Sequence, residues 1–363
     1  MDAEIIIRRT FLHSSGINCN KTCALLWRKR PKTKEIIVTI TTRLTKRFGI
    51  KHPIVLAPMT PASGGALASA VAAAGGLGLL GGGYVDRVWF EAESAKVTRS
   101  DVGAGFITWT IPEDPGLLDV ALERHPRAMM LSFSDPGPYA ARIKKASVPL
   151  ICQVHTLDHA FHAVDVGADV VVAQGTEAGG HGWALRSTMP FVPSVVDALT
   201  ARAPEVLVLA AGGIADGRGL AASLMLGADG VLMGTRFWAT QEALIPDAAK
   251  AKVVAATGDE TIRTSVYDIV RGRIWPPGYT GRVMRNNFVE KWTGHEKELA
   301  GVRADEIRKI DDALQTDDFE TANVTVGETI GLVHDVPKAG DLINRIVAEA
   351  SDRLMKFAPA LAA

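Results

Sequence analysis

From Thr41 onward, short apolar runs alternate along the chain with longer amphipathic segments. Apolar runs bounded by glycine, proline or polar residues are typical of buried strands, and apolar residues three and four positions apart are typical of helices. The pattern predicts strands at 53–57, 77–80, 103–108, 128–133, 149–154, 169–173, 206–210 and 230–233. It predicts helices between most of them, at 64–74, 86–97, 115–124, 137–145, 157–166, 192–202 and 216–226.

This alternation favours a closed (β/α)8 TIM barrel over an open sheet. No helix of the usual kind follows the eighth strand, since 241–335 is a charged stretch with a helical pattern and an amphipathic helix resumes at 338–357. We therefore expect an inserted helical subdomain before the last helix, with 41–240 and 336–363 forming the barrel. Barrel active sites lie at the C-terminal ends of the strands, where the insert would cover the substrate.

Residues 1–40 are basic and lack periodicity, which predicts a poorly ordered N-terminal extension. A mitochondrial transit peptide is the alternative, although Asp2 and Glu4 count against it. The predicted compartment is accordingly the cytoplasm, or the mitochondrion if the extension is a transit peptide.

Charge and cysteine content narrow the function classes. Forty Lys and Arg residues balance forty Asp and Glu residues, so no whole-chain field favours nucleic acid or a membrane. Cys19, Cys23 and Cys152 do not form a disulfide framework, and a reducing compartment is expected. The charge-free segment 53–85 is long enough to span a bilayer, but its prolines and glycines favour a buried strand–helix–strand unit. We expect no nucleic-acid or membrane partner, and a monomer or homodimer.

His181 is the candidate catalytic residue, within AQGTEAGGHGWA at 173–184. It lies just past the sixth predicted strand, beside paired glycines that let a backbone approach a flat or anionic ligand. A histidine there is either a base facing that ligand or a loop residue without a function. Glu177 either orients the loop or the histidine, or only stabilises the loop.

Two glycine turns directly follow the seventh and eighth predicted strands. Gly212 and Gly213 follow one strand, and Gly234 and Thr235 follow the other. Loops at these positions of a TIM barrel are the usual phosphate site, where backbone N–H groups and a helix N-terminus hold the anion.

Three further motifs have weaker interpretations. GLGLLG at 76–81 matches a dinucleotide fingerprint but follows a helix and is itself mostly strand. His155, His159 and His162 are spaced like metal ligands, yet the first lies in extended chain, which favours surface histidines and no metal site. Arg282 and Arg285 are either part of a solvated turn or residues that attract an anion.

Five segments together resemble the nitronate monooxygenase family, once grouped as 2-nitropropane dioxygenases. They are HPIVLAPMTPASGGALASAVAAAGGLGLLGGG, GAGFITW, GTEAGGHG, AAGGIADGRGLAASLMLGADGVLMGTRFWAT and TGRVMRN. The resemblance covers about residues 44–350 and implies a flavin mononucleotide (FMN) barrel that oxidises nitronates, and sometimes nitroalkanes, with molecular oxygen.

The resemblance also implies roles for individual residues. It places Ala57, Pro58 and Met59 along the flavin ring, and Gln153 and Gln174 near the ring or the ribityl chain. It brings Gly180 close to the flavin and assigns the phosphate to Gly212, Gly213, Gly234 and Thr235. His181 matches the family's active-site histidine.

The chain departs from the common family pattern at three positions. Gly105 replaces an asparagine, Gln153 a lysine and Gln174 an aspartate, which changes the charge beside the ring. The alternative function is an FMN-dependent enoyl-thioester reductase that uses NAD(P)H, since such enzymes share a similar histidine loop. A non-catalytic FMN-binding or sensing module is the third interpretation.

Overall fold

The structure, a computed structural model, describes residues 6–9 and 38–361. Its first two strands, β1 (Ile6–Arg9) and β2 (Val38–Thr41), pair in an antiparallel manner. The boundary predicted at residue 40 falls inside β2, where Ile40 is wholly buried against the barrel's helices. Cys19 and Cys23 lie outside the described residues, as does most of the predicted extension.

Eight parallel strands form the barrel. They are β3 (Ile54–Leu56), β4 (Leu79–Gly81), β5 (Gly103–Ile107), β6 (Met129–Ser132), β7 (Leu150–Val154), β8 (Val170–Gln174), β10 (Leu207–Ala211) and β11 (Gly230–Met233). Their order around the sheet is β3-β11-β10-β8-β7-β6-β5-β4. A parallel bridge between Val55 and Leu77 joins the two ends, so the predicted barrel is confirmed.

Helices follow the first seven barrel strands in the expected alternation, and further helices precede the barrel or come after its eighth strand. They are α1 (Arg43–Phe48), α2 (Gly65–Ala73), α3 (Arg87–Ala95), α4 (Gly116–Glu123), α5 (Gly137–Lys145), α6 (Leu157–Asp165), α7 (Thr188–Arg202), α8 (Gly217–Met225), α9 (Thr235–Trp238), α10 (Asp247–Ala255), α11 (Val266–Arg271), α12 (Asn287–Trp292), α13 (Glu296–Gln315) and α14 (Ala339–Leu361). None of the helices in the described part of the chain is long and apolar enough to cross a membrane.

Adjacent residues of each strand belong to different core layers, because successive side chains point to opposite faces. On β7, Ile151 lies inside the barrel, whereas Leu150 and Cys152 pack outward against the helices. Strands buried on both faces read as continuous apolar runs, which explains why the strand predictions succeeded. Burial also raises the pKa of the Cys152 thiol to about 12, so this cysteine is a neutral packing group.

Close packing explains the GLGLLG motif. A Cβ added at Gly78 would lie 2.0 Å from the carbonyl oxygen of Ala68 on α2. The glycine therefore lets α2 pack directly on the chain that enters β4. The motif runs into a strand and does not open a helix, so it lacks the context of a dinucleotide fingerprint.

The segment between β11 and α14 contains strands as well as the predicted helices. β12 (Thr261–Thr264) pairs with β13 (Tyr279–Met284), which pairs with β9 (Gly180–Trp183) from the loop after β8. The three strands are antiparallel and join the insert to the barrel. α14 then packs between α8 and α2 as the last helix of the barrel, as the sequence predicted.

Candidate active site

His181 lies on β9 above the C-terminal ends of the barrel strands. Its Cα is opposite Gly281 of β13, where an added Cβ would lie 3.4 Å from His181 Nε2. The Nε2 atom is 3.0 and 2.9 Å from the two carboxylate oxygens of Asp268 on α11. The Trp275 ring stacks on the imidazole, with ring centroids 3.5 Å apart and planes 7° apart. The imidazole is therefore fixed on one edge and on one face.

A polar chain connects the barrel interior to the histidine loop. Gln153 and His155 follow Ile151 on the inner face of β7, and both contact the Gln174 amide oxygen, His155 through Nε2 at 2.9 Å. Gln174 Nε2 in turn donates to the His181 carbonyl oxygen at 3.2 Å. The two predicted glutamines thus contact each other and the loop that carries His181.

The prediction of His155 as a surface histidine is wrong. Its side chain is 2% exposed, and burial lowers its pKa to about 3, which keeps the ring neutral. His159 packs on Trp183, and His162 forms an exposed ion pair with Asp135. The three histidines have separate partners, and no cluster of metal-ligating side chains occurs among the described residues.

Aromatic side chains surround His181. Trp275 contacts Phe133, Tyr279 and Trp109, with ring centroids 5.3, 6.0 and 5.3 Å away. Phe133, just after β6, has φ of 64°, and Ser134 has φ of 153°, values that non-glycine residues rarely adopt. Such backbone strain persists only where surrounding structure imposes it, and it clusters at functional sites.

Two half-buried arginines hold the loop between β8 and β9. Arg263 donates to the carbonyl oxygens of Thr176, Gly182 and Thr280. Burial lowers the pKa of Arg263 to about 10. Arg282 donates to the Thr176 carbonyl and forms a 2.8 Å ion pair with Glu328.

The contacts of Arg282 and Arg285 bear on whether these residues form a solvated turn or attract an anion. Arg282 is 11% exposed and braces the histidine loop, so it is neither a solvated residue nor a free cation. Arg285 pairs with Glu290 at the surface, as a solvated turn would require.

Glu177 does not contact the His181 side chain. Its carboxylate accepts hydrogen bonds from the backbone N–H and the hydroxyl of Thr188, the first residue of α7. An acid at a helix N-terminus satisfies donors that lack partners within the helix. Glu177 thus stabilises the loop by joining it to α7.

The loop after β3 crosses the mouth of the barrel over small residues. Pro58 lies on Gly105, where a Cβ would come within 2.4 Å of the proline Cγ. Thr60 lies on Gly81, with the threonine hydroxyl 2.7 Å from an added Cβ. Ser63 Oγ donates to the Ala57 carbonyl at 2.7 Å and secures the turn. Met59 reaches toward β11, with its sulfur 3.2 Å from a Cβ added at Gly234.

The glycine turns after β10 and β11 are neighbours, because these strands pair in parallel. Gly212 and Gly213 have φ of 93° and 72°, which favours glycine at both positions. Thr235 begins α9, and its hydroxyl accepts the Gly327 N–H at 2.8 Å. Among the described residues, the backbone N–H groups of Gly213 and Thr235 have no acceptor. Both remain available to an anion.

The backbone N–H groups at the start of α8 already have hydrogen-bond acceptors. Asp216 accepts the N–H groups of Arg218 and Gly219, and Glu349 accepts that of Gly217. An anion at this end of the barrel is therefore better placed at Gly213 and Thr235 than at the start of α8.

Sequence reasoning missed Asp268, Trp275, Phe133 and the inward position of His155. For His155 a signal existed, since it follows Ile151 and Gln153 at the strand period of two. Asp268 and Trp275 lie in a segment whose local pattern gives no indication that β13 pairs with β9. Phe133 is part of a predicted strand, and the strand pattern gives no indication of its positive φ.

Comparison with known proteins agrees with this architecture. The sequence profile of the nitronate monooxygenase family matches residues 41–101 and 86–349. A nitronate monooxygenase of Neurospora crassa is 32% identical, over 90% of this chain and 97% of that protein. A 5-hydroxy-7a-methyl-1-oxo-octahydro-1H-indene-4-carboxyl-CoA dehydrogenase of Rhodococcus jostii is 30% identical, over 87% and 97%.

Among solved structures, FabK from Thermotoga maritima superposes with a TM-score of 0.77 at 30% identity, over 88% of this chain and 99% of that one. The match of the family profile to most of the chain, from the first barrel strand to α14, decides the assignment. The chain belongs to the nitronate monooxygenase family of flavin-dependent oxidoreductases.

Proposed function

We propose that the protein oxidises alkyl nitronates, and also neutral nitroalkanes, with molecular oxygen, using FMN bound at the mouth of the barrel. The observation that carries the proposal is the position of His181. It lies at the same end of the barrel as the two glycine turns, where the N–H groups of Gly213 and Thr235 have no acceptor among the described residues. A proton acceptor and an anion site therefore lie on one face of the barrel.

The residues at the mouth fit FMN. Gly212, Gly213, Gly234 and Thr235 would hold its single phosphate through backbone donors, as barrel loops of this kind do. Ala57, Pro58 and Met59 would line one side of the ring, and Gly180, with φ of 69°, would let the histidine loop approach it. Gln153 and Gln174 would offer amide groups to the polar atoms of the ring or the ribityl chain.

Unpartnered buried polar atoms also fit a bound ligand. His155 Nδ1 and Thr108 Oγ1 are buried and have no hydrogen-bond partner among the described residues. They follow β7 and β5, at the end of the barrel that carries the other candidate residues. Buried polar groups without partners cost free energy, so a polar ligand that meets them would stabilise the protein.

His181 performs the proton chemistry in this proposal. With a neutral nitroalkane it removes the proton from the carbon that bears the nitro group, and the electron pair of that bond remains on the substrate as the nitronate. With a preformed nitronate no proton is removed, and the same histidine orients the anion. The bound flavin supplies the electron acceptor and the reaction with oxygen. The rings of Trp275, Phe133 and Tyr279 exclude water around the reacting carbon.

The alternative is an FMN-dependent reductase of enoyl-thioesters that uses NAD(P)H. It is favoured by the likeness to FabK at 30% identity and by the relative named for a carboxyl-CoA compound. In that reaction the same barrel mouth would bind a thioester and a nicotinamide in turn.

Two measurements test the proposal. Purified protein should show the absorbance of oxidised flavin, with one FMN per chain, and anaerobic addition of propyl nitronate should bleach it. Bleaching by NADPH, with steady NADPH oxidation only when an enoyl-thioester is present, would favour the reductase instead. A protein that is colourless and cannot be reconstituted with FMN would refute both.

A further inference from the structure

The Asp268 carboxylate has one hydrogen-bond partner among the described residues, the Nε2 atom of His181. Its side chain is 11% exposed, and that of His181 is 18% exposed. A carboxylate removed from water needs donors, since burying an unpaired charge is costly. The N–H that satisfies both oxygens is the one on Nε2, so this atom carries a proton in the neutral imidazole.

The other ring nitrogen is free. His181 Nδ1 makes no hydrogen bond with any residue that the structure describes, and it does not belong to the side-chain atoms buried without a partner. This nitrogen is therefore accessible to a ligand. In a neutral imidazole one nitrogen donates and the other accepts, and the bond made by one decides the role of the other.

Two contacts oppose a rotation that would exchange the two nitrogens. Trp275 covers one face, with ring centroids 3.5 Å apart, and the Asp268 carboxylate holds the Nε2 edge. Asp268 is held on α11, whose last turn ends at Gly272 in the left-handed region. The orientation of the imidazole is thus set by residues of the insert and not by the barrel.

We propose that Asp268 is the positioning residue of the site, which fixes His181 in the Nε2–H tautomer so that Nδ1 takes the substrate proton. The inference rests on the proposed function in one respect, that the substrate has an acidic C–H bond. In the step, that C–H bond breaks and an N–H bond forms at Nδ1. The electron pair stays on the substrate carbon and nitro group. The Asp268 carboxylate stabilises the resulting imidazolium.

The tautomer can be measured without turnover. In flavin-loaded protein labelled with ¹⁵N-histidine, NMR correlations between ring nitrogens and ring protons distinguish the two tautomers, and His181→Asn identifies the signals of His181. We expect an Nε2–H tautomer in the wild type. In Asp268→Asn the amide can also present an N–H to Nε2, so the Nδ1–H tautomer should become populated.

Kinetics supply the second readout. Asp268→Asn should lower kcat for neutral nitroethane by about 10²–10⁴-fold, because the nitrogen that faces the substrate is then protonated. Turnover of preformed ethyl nitronate should fall much less. Asp268→Glu keeps the carboxylate and should retain part of the tautomer preference and of the rate. Asp311→Asn, at an exposed position of α13, is the matched control and should change neither.

A failure of the role proposed for Asp268 can be distinguished from a failure of the proposed function. An unprotonated Nε2 in the wild type, or an unchanged tautomer in Asp268→Asn, overturns the role of Asp268 even if nitronates are oxidised. If nitroalkanes and nitronates are not substrates, the proposed function fails, while the tautomer measurement still decides the role of Asp268. If Asp268→Asn does not fold, the wild-type and Asp268→Glu spectra decide it.

Discussion

The mouth of the barrel has two sides that are built differently. The glycine side consists of turns directly after β3, β10 and β11, and its functional groups are backbone N–H groups and small residues. The histidine side consists of side chains, namely His181, Asp268, Trp275 and Phe133, brought together from the loops after β6 and β8 and from the insert. One side depends on local chain geometry and the other on long-range packing.

The difference shows where variation between relatives can arise. A turn that presents backbone donors needs glycine at the strand end and little else, so the barrel itself provides it. The environment of His181 depends on the pairing of β9 with β13 and on α11, and both β13 and α11 belong to the insert. We therefore expect changes on the glycine side to alter cofactor affinity, and changes on the histidine side to alter the reaction.

The largest effect is expected for His181→Asn. Loss of the base should reduce turnover of neutral nitroalkanes by about 10²–10⁴-fold. Turnover of nitronates should fall less, since the loss of one hydrogen bond to an anion costs about 1.5–3 kcal/mol. Oxygen consumption with each substrate measures both, and His162→Asn at an exposed position of α6 is the control. Equal losses on the two substrates would mean that His181 shapes the site and is not a base.

The next largest effect is the loss of stability at acid pH that His155 should cause. Burial lowers the pKa of His155 to about 3, against an ordinary value of 6.5. Between pH 3 and pH 6.5 this histidine is therefore protonated in the unfolded chain but not in the folded chain. The folded state consequently loses stability as the pH falls below 6.5. Between pH 6.5 and 4.5 the free energy of unfolding should fall by about 2–3 kcal/mol less in His155→Gln than in the wild type, as measured by denaturant unfolding.

The matched variant for this effect is His334→Gln, since His334 is exposed. It should leave the acid sensitivity of the protein unchanged. If His155→Gln and the wild type lose stability in parallel, the acid sensitivity originates elsewhere.

A smaller effect on stability is expected for Gly105→Ala. The added Cβ would lie 2.4 Å from Pro58 Cγ, and the proline ring cannot move without its backbone. Overpacking of this kind costs about 1–3 kcal/mol, and the displaced 57–59 loop should also weaken flavin binding. Gly301→Ala is the control, because nothing lies within 4 Å of an added Cβ on that helix. A variant as stable as the wild type would show that the loop adapts.

The smallest effect is expected for Gly213→Ala. At φ of 72° an added Cβ costs about 1–2 kcal/mol, although no atom lies closer to it than 3.6 Å. Gly294→Ala, at φ of 86° and with nothing within 4 Å, carries the same strain far from the mouth. Both should lower stability alike, but only Gly213→Ala should weaken FMN binding, by about 5–30-fold in fluorescence titration. Equal affinity in the two variants would remove the Gly213 turn from the phosphate site.

The same contrast explains what the sequence could predict. The barrel strands are short apolar runs, and β4, β8, β10 and β11 are followed directly by glycine, so the strand positions were found to within a few residues. The glycine turns were found for the same reason. β9 reads GHGW, with no apolar alternation, and its partner lies about a hundred residues later. Asp268 and Trp275 approach His181 only through that pairing, and no local pattern contains this information.

The position of α14 has a consequence for how the protein is made. This last helix lies between α8 and α2, over the seam where β11 meets β3, and Ile343 and Ile346 are buried there. On the ribosome, the first and eighth strands can therefore pair well before their cover exists. Until α14 has been synthesised, the apolar seam stays open to water and to other nascent chains. The cover of this seam is thus made about a hundred residues after the second of the two strands that it protects.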